Sequence, residues 1–169
     1  MGIVLKRRDN APIVKHVFGN VIEKIMIDKD LDKSIDWLQQ TLADIRLCKF
    51  PMSYFIITKS LRGYYKNPGG IAHKVLADRI GQRDPGNKPK PGDRMPFAYT
   101  KVDDQPELVG KYKNGNKKYK KKKILQGDRV EDPEFIKKNN LELDYEFYIT
   151  NQIMNPVKQV LDLELNSEI

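Results

Sequence analysis

Two runs of apolar residues at helical spacing open the chain. After Pro12, apolar side chains recur every three or four positions, so they share one face of a predicted helix. This face comprises Ile13, Val14, Val17, Phe18, Val21, Ile22, Ile25 and Met26. We expect Asp9 or Asn10 to cap the helix, with Pro12 in its first turn, where a missing N–H costs nothing. A second helix is predicted to begin near Asp30 or Asp32, which makes the two an antiparallel pair. Its inward side chains are Ile35, Leu38, Leu42 and Ile45.

Short strands and a third helix are predicted for the middle of the chain. Residues 54–58 are aromatic and β-branched, which favours a strand. A helix is predicted from Ile71 to about Gln82, because its apolar positions recur at helical spacing. Residues 94–101 and 121–128 are expected to pair as an antiparallel ribbon, with the segment between them as an excursion.

The last part of the chain is predicted to be helical. Asp132 followed by Pro133 is typical of a capped helix start, and a longer helix is expected to begin near Asp144. Pro156 falls within that longer helix, so we expect a kink or a fresh start there. Together these patterns predict an α+β chain, mainly helical, with one small antiparallel strand ribbon.

The net charge of +8 comes from one stretch of the 169 residues. Eight lysines and no acidic residue lie between Lys111 and Lys123, so the rest of the chain sums to zero. Such a stretch attracts polyanions without sequence preference, and the interleaved Tyr112 and Tyr119 suggest stacking on bases. A solvated hairpin tip or a localisation-like tract explains the same lysines equally well. Composition alone leaves these interpretations open.

Little in the sequence favours catalysis by the chain itself. Two-metal phosphoryl transfer needs carboxylates that hold ions about 4 Å apart, whereas the acidic residues here are scattered among predicted caps and turns. Asp103 and Asp104 are adjacent but lie in a loop that we expect to be solvated, so no metal site is predicted. The single cysteine, Cys48, excludes a disulfide framework and is interpreted as a half-buried small hydrophobe. No apolar run approaches the length of about 20 residues that spans a membrane, so an intracellular protein is expected.

Phosphate binding is better supported than catalysis, first of all near the N-terminus. Lys6, Arg7 and Arg8 precede a predicted helix start, where cationic side chains and free N–H groups act together on an anion. An ion pair between Arg8 and Asp9 that fastens strand to helix is the structural alternative.

A second group of phosphate-binding candidates ends a predicted strand. Thr58, Lys59 and Ser60 place a hydroxyl, an ammonium and a hydroxyl in succession, which suits consecutive backbone phosphates. An ordinary solvated strand end has the same residues, and this alternative stays open. His73 opens the third helix after a glycine pair, where it either donates to phosphate or caps the helix and packs.

Four blocks occur in a fixed order along the chain and carry a family resemblance. They are KRRDN at 6–10, ITKSL at 57–61, HKVLADR at 73–79 and YITNQ at 148–152. With RDPG at 83–86 and GDR at 92–94 between the last two, the ordered set resembles the end of the palm and the thumb of a family B DNA polymerase. The likeness is greatest to delta-type replicases, cellular or from large DNA viruses.

The resemblance implies a domain division and a set of DNA contacts. Residues 1–9 resemble the C-terminal edge of the palm, residues 10–169 resemble the thumb, and residues 102–123 look like a lysine-rich insertion loop. The fold implied is a thumb-like helical domain with a small strand ribbon. The candidate DNA-binding residues are Lys6, Arg7, Arg8, Thr58, Lys59, Ser60, His73, Arg79, Lys118 and Lys121.

The function implied is that of one part of a DNA-directed DNA polymerase, which grips the primer–template duplex during replication. The family's catalytic aspartates lie upstream of these motifs, so the chain alone is not expected to polymerise DNA or to bind a cofactor; magnesium belongs to the complete enzyme. The implied partners are primer–template DNA, the upstream palm, fingers and exonuclease portion, and a sliding clamp, with no membrane. The implied location is the nucleus or a viral replication site, and otherwise the cytoplasm. The alternative is a free-standing basic protein that binds duplex nucleic acid and derives from a polymerase thumb.

Overall fold

Two antiparallel helices open the described part of the chain. The computed structural model describes residues 10–102, 106–121 and 124–167, with side chains as far as Leu163. Helix α1 spans Pro12–Met26 and helix α2 spans Leu31–Arg46, which confirms both helices that the apolar spacing predicts. Six of the eight side chains predicted for the inward face of α1 are buried, while Met26 is 62% exposed at the helix end.

The two helices differ in how their N-termini are capped. Asp30 caps α2 as predicted, because its carboxylate accepts the N–H of Lys33 at 3.0 Å. The cap predicted for α1 is wrong: the N-cap residue is Ala11, which is fully buried and has no side chain that could accept a hydrogen bond. Pro12 at the first helical position has no N–H to satisfy and a φ suited to a helix, so the start needs less capping. Asp9 lies outside the described residues.

A three-stranded antiparallel sheet packs against the next helix. Its strands are β1 (Ile57–Ser60), β2 (Arg94–Tyr99) and β5 (Val130–Glu131), in the order β1-β2-β5. A 3₁₀ turn at Met52–Phe55 occupies the first half of the strand predicted at 54–58, so only the second half of that prediction holds. Helix α3, Ala72–Arg83, confirms the third predicted helix.

The lysine-rich segment forms a hairpin of its own. Strand β3 (Glu107–Lys111) pairs antiparallel with strand β4 (Lys117–Lys120), so the ribbon predicted between residues 94–101 and 121–128 is wrong. Asn114 and Gly115 form the turn, with Gly115 at a φ of +87° that favours glycine. A short loop closes at a smaller entropic cost than the long excursion that we expected. Most of the second predicted strand is a short helix, α4, at Gln126–Arg129.

The C-terminal part of the described chain is helical, as predicted. Helix α5 spans Pro133–Lys138 and is capped by Asp132. Asp144 caps the short helix α6, Tyr145–Phe147, which continues into a π turn over Tyr148–Ile153 and then into helix α7, Met154–Ser167.

The interruption expected at Pro156 takes the form of this π turn. The widened turn ends at Ile153, three residues before the proline, which lacks the N–H for a regular helical hydrogen bond. The side-chain amide of Asn155 donates to the carbonyl oxygen of Asn151 at 2.7 Å, so this carbonyl is satisfied by a side chain. The chain therefore passes the proline without leaving the helical path.

Tyr148 joins three parts of the core through its hydroxyl group. The hydroxyl accepts the N–H of Tyr99 in β2 at 2.8 Å and donates to the carbonyl oxygen of Phe55 at 2.6 Å. The side chain is fully buried, and this burial raises the pKa of Tyr148 well above its usual range. The π turn, the sheet and the 3₁₀ turn are thereby held in fixed relation around one neutral phenol. Within the described residues, no helix is long and apolar enough to cross a membrane.

Candidate nucleic-acid interface

The end of strand β1 carries the hydroxyl and ammonium groups that the sequence singles out. Ser60 lies opposite Arg94 in the sheet, and an Nη1 group of this arginine donates to the Ser60 hydroxyl at 3.3 Å. Thr58 is two residues away and so lies on the same face as Ser60, next to the exposed Pro96 of the neighbouring strand. Lys59 points to the opposite face, toward His73.

A hydrogen-bond relay through Tyr65 and His73 holds this strand end in place. The hydroxyl of Tyr65 accepts the backbone N–H of Arg62 at 2.8 Å and lies 3.0 Å from Nε2 of His73. The direction of the hydrogen bond between the Tyr65 hydroxyl and Nε2 depends on the tautomer of His73. A backbone hydrogen bond of Ser60 also acts on the imidazole. The His73 ring stacks at 6.4 Å on Phe97 of β2.

The surroundings of His73 favour its neutral form. Desolvation by burial is the largest cause that lowers the pKa of this residue, and the nearby charge of Lys59 lowers it further. The hydrogen bond to Ser60 acts in the opposite direction, and Arg62 adds a smaller lowering effect. The charges of Lys59 and Arg62 thus lie close to the imidazole.

The cations at this strand end differ from most arginines and lysines of the helices. Lys59 and Arg62 form no ion pair with any described residue, and Arg94 donates only to the Ser60 hydroxyl. By contrast, several cations elsewhere hold carboxylates within 4 Å: Arg46, Lys74, Arg83, Lys101 and Arg129. Arg62, Ser60 and Arg94 are also exposed. We name this set, Thr58, Lys59, Ser60, Arg62 and Arg94, the strand-end surface.

The β3–β4 hairpin presents a second, separate set of cations. Each residue of its two strands is exposed, including Lys111, Lys117, Lys118 and Lys120. The ammonium group of Lys118 lies 5.8 Å from the ring centre of Tyr112. Lys121, another predicted contact, follows the hairpin and is exposed as well. Lys118 and Lys121 are thus exposed on and just after the hairpin, and neither belongs to the strand-end surface.

Acidic residues do not converge on a metal site within the described chain. No group of three or more His, Cys, Asp or Glu side chains among residues 10–102, 106–121 and 124–163 is arranged to hold an ion. Asp132 and Asp144 cap helices, and Glu131 accepts from Arg83. Asp103 and Asp104 lie outside the described residues.

Comparison with known proteins assigns the chain to a family. The family model of DNA polymerase family B matches residues 1–163. The chain belongs to DNA polymerase family B. The resemblance carried by the four ordered blocks is thereby confirmed at the level of the family.

Viral and cellular polymerases are among the similar sequences. The DNA polymerase of Acanthamoeba polyphaga mimivirus is 49% identical over 168 residues, which are 99% of this chain and 9% of that protein. The DNA polymerase delta catalytic subunit of Caenorhabditis elegans is 33% identical over 162 residues, 95% of this chain and 13% of that protein. The chain therefore spans about a tenth of the length of these relatives.

A solved structure supports the fold. The family B DNA polymerase from the hyperthermophilic archaeon Pyrobaculum calidifontis matches with a TM-score of 0.63 at 18% sequence identity. The match covers 88% of this chain and 17% of that chain. A mainly helical fold with small antiparallel sheets, as predicted, is thus similar to part of a family B polymerase.

Within this family B segment, Arg79 has a structural role. Its guanidinium donates to the carbonyl oxygen of Gly127 at 2.7 and 3.2 Å and to that of Val130 at 3.0 Å. These carbonyls lie in and just after helix α4, so the arginine fastens α3 to the start of β5. Because both terminal nitrogens of its guanidinium are engaged in this way, we leave Arg79 out of the interface, and its predicted DNA contact stays a prediction.

A second arginine strengthens the same junction. Arg83 contacts both carboxylate oxygens of Glu131, at 2.7 and 3.0 Å, and stacks 3.7 Å above the ring centre of Phe135. Hydrogen bonding to this carboxylate raises the pKa of Arg83. Arg79, in the HKVLADR block, and Arg83, in the RDPG block, therefore both join helix α3 to strand β5.

Sequence reasoning named only part of the strand-end surface. It found Thr58, Lys59 and Ser60 but missed Arg62 and Arg94, which complete the set. Arg94 stands in the GDR block at 92–94, so its signal was present; its position next to Ser60 depends on the register of β1 and β2. The predicted contacts nearest the N-terminus, Lys6, Arg7 and Arg8, lie outside the described residues.

Proposed function

We propose that this chain is part of the thumb of a DNA-directed DNA polymerase and grips the primer–template duplex during DNA replication. In this proposal residues 10–169 belong to the thumb and residues 1–9 to the adjoining edge of the palm. Family membership supports a role within a polymerase, and the described surface supports the specific task of holding duplex DNA.

The observation that carries the proposal is the strand-end surface. Arg94 lies beside the Ser60 hydroxyl on one face of the sheet, Lys59 projects from the opposite face, and Arg62 follows the strand. None of the three cations forms an ion pair with a described residue, so an anion can bind them without displacing a described carboxylate; Arg94 shares its hydrogen bond to Ser60. The relay through Tyr65 and His73 holds the backbone of this surface in place, so little order has to be gained on binding.

The chemistry of this surface suits a duplex of any sequence. Lysine, arginine and hydroxyl groups contact phosphate oxygens, which are the same at each base pair and carry no direct sequence information. A polymerase must hold DNA while the duplex moves past it, so contacts that repeat along the backbone are more useful than base-specific ones. We assign Thr58, Lys59 and Ser60, with Arg62 and Arg94, to the sugar–phosphate backbone.

The catalytic step of such an enzyme requires groups outside this chain. We propose that the two magnesium ions of nucleotide transfer are held by carboxylates of the preceding part of the polymerase, while this chain positions the duplex. The engaged acids described above support this division, because Asp132, Asp144 and Glu131 already serve as caps or ion-pair partners. The partners proposed are the duplex itself and the palm, fingers and exonuclease portion, with a sliding clamp as a further one.

Salt-dependent duplex binding tests the proposal directly. The 169-residue chain is titrated with a fluorescent primer–template duplex between about 50 and 200 mM salt, and the logarithm of the binding constant is plotted against that of salt concentration. Loss of one phosphate contact reduces the steepness of this plot by about 0.9. We expect this reduction for Lys59→Gln, Arg62→Gln and Arg94→Gln, and none for Lys29→Gln in the α1–α2 turn, which removes equal charge.

The outcomes separate the proposal from its alternative. No duplex binding by the wild-type chain at low salt contradicts the proposal. Unchanged slopes in all three strand-end variants, with binding lost on neutralising the hairpin lysines, favour a free-standing basic nucleic-acid-binding protein instead. Reduced slopes in the strand-end variants support the thumb.

A further inference from the structure

The β3–β4 hairpin carries lysines on both of its faces. Because side chains alternate along a strand, Lys117 lies on the face of Tyr119, and Lys118 lies on the face of Lys120. Cross-strand pairing places Lys111 opposite Lys117 and Leu108 opposite Tyr119 on the first face. The ring of Tyr112, which lies beneath Lys118, belongs to the second face.

The hairpin is not covered by the rest of the described chain. Both strands are exposed along their whole length, and Leu108, Tyr112 and Tyr119 are each more than half exposed. An isolated two-stranded ribbon has marginal stability in water, since it buries little apolar surface. Binding to something outside the described chain would therefore stabilise it.

The charge pattern of the hairpin indicates the nature of that partner. Lys111 and Lys117 face each other directly across the two strands, a like-charge pair that destabilises a ribbon. The one acidic residue of the two strands, Glu107, lies opposite Lys120 at the far end of the ribbon, so the pair of Lys111 and Lys117 has no acidic residue beside it in the strands. A polyanion removes the repulsion by placing phosphates beside both ammonium groups and releasing their counterions.

The two-stranded shape of the hairpin favours a duplex as this polyanion. The rings of Tyr112 and Tyr119 are more than half exposed, so the tyrosines alone do not distinguish a duplex from a single strand. The major groove of B-DNA, about 12 Å wide, admits a two-stranded ribbon and has phosphates along both of its walls.

We propose that the β3–β4 hairpin is a second duplex-binding element, which enters the major groove so that lysines of its two faces reach phosphates on opposite walls. This inference rests on the proposed function, since the duplex is the same primer–template DNA. It differs in the residues that carry it: Lys111 and Lys117 serve one wall, and Lys118 and Lys120 serve the other.

Two double variants of equal charge test the two faces separately. Lys111→Gln/Lys117→Gln and Lys118→Gln/Lys120→Gln are compared with the control Lys29→Gln/Lys158→Gln, whose two lysines are exposed on the α1–α2 turn and on α7. Each hairpin pair is expected to reduce the steepness of the salt plot for duplex binding by about 1.8, twice the value of one contact. The control is expected to leave it unchanged. All the substituted positions are exposed, and circular dichroism confirms that each variant is folded.

A duplex with bulky substituents at pyrimidine C5 tests entry into the groove. The C5 position lies in the major groove, so these substituents are expected to weaken binding of the wild-type chain at least tenfold and to have no effect on the variant lacking all four lysines. An unmodified single strand of the same length is expected to lose less affinity than the duplex does when the four lysines are replaced.

Several results overturn the inference. A reduced slope in only one of the two double variants means that the hairpin lies along one strand of the backbone and does not enter a groove. Insensitivity to the C5 substituents, or an equal loss of single-strand binding, excludes the major groove as the site. If the wild-type chain binds no duplex, the proposed function fails as a whole; if it binds and the hairpin variants match the control, only the hairpin inference fails.

Discussion

The hydroxyl of Tyr65 lies 3.0 Å from Nε2 of His73 and 2.8 Å from the backbone nitrogen of Arg62. This contact links the start of helix α3 to the residues that follow strand β1. A backbone hydrogen bond also joins His73 to Ser60. The position of the strand-end surface is therefore set by two side chains that need not touch DNA themselves.

Removal of the Tyr65 hydroxyl is expected to loosen the strand end. Tyr65→Phe leaves the Arg62 N–H and the His73 ring nitrogen without this partner, which lowers the free energy of unfolding by about 1 kcal/mol. Tyr64→Phe is the matched control, because that neighbouring side chain is 81% exposed. Urea denaturation of both variants measures the difference, and equal stability of the two would refute a structural role for the relay.

Stability is expected to fall in acid because of His73. The folded state holds the pKa of this residue below the ordinary value of 6.5, so below pH 6.5 the unfolded chain binds more protons than the folded one. The contribution of His73 is complete above pH 6.5 and is lost as the pH falls through the folded pKa. Unfolding free energies from pH 7.5 to about 5 should therefore decline more steeply in the wild type than in His73→Gln. Parallel curves would contradict this account.

Glu131 is expected to be the carboxylate whose loss costs most. It is 8% exposed and holds Arg83 in a two-point contact, with Arg79 3.7 Å away. Glu131→Ala leaves these cations without their partner and should lower the free energy of unfolding by about 2–3 kcal/mol. Glu134→Ala, at an exposed position on α5, should change it by less than about 0.5 kcal/mol. Comparable losses in the two variants would contradict the role assigned to Glu131.

Close packing of α3 on α4 depends on Gly127. A Cβ atom at this position would lie 2.6 Å from Cβ and 2.7 Å from Cγ1 of Val75, closer than such atoms approach. Gly127→Ala is expected to cost about 1–3 kcal/mol, and Val75→Ala in the same chain should restore part of the loss. Gly69→Ala serves as the control, since nothing lies within 4 Å of its added Cβ. The account fails if thermal denaturation shows the same effect for both glycines.

The helices were predictable from the sequence, since a 3.6-residue period and a capping aspartate are local signals. Asp30, Asp132 and Asp144 each accept the hydrogen bonds expected of a cap. Cys48 did not follow local expectation: it is exposed and has a φ of +59° just after α2, where the chain reverses. An apolar or small residue type alone does not indicate burial at a helix end.

Strand pairing was the part of the fold that the sequence could not supply. The partners of β2 are β1 and β5, more than 30 residues away in either direction, and no local pattern specifies them. The same limit applies to the strand-end surface. Ser60 was identified from its own segment, but its neighbour Arg94 becomes visible only when the register of the sheet is known. The Asn114–Gly115 turn, by contrast, is a local signal for the hairpin.

Primer extension by a chimera tests the central claim most directly. The matching segment of the mimivirus DNA polymerase is replaced by this chain, with or without Lys59→Gln/Arg62→Gln, and extension with magnesium and nucleotides is compared with that of the isolated chain. We expect the chimera to extend primers, the double variant to add fewer nucleotides per binding event, and the isolated chain to add none. Synthesis by the isolated chain, or a double variant as processive as the unsubstituted chimera, would contradict a non-catalytic thumb that holds the duplex through its strand-end surface.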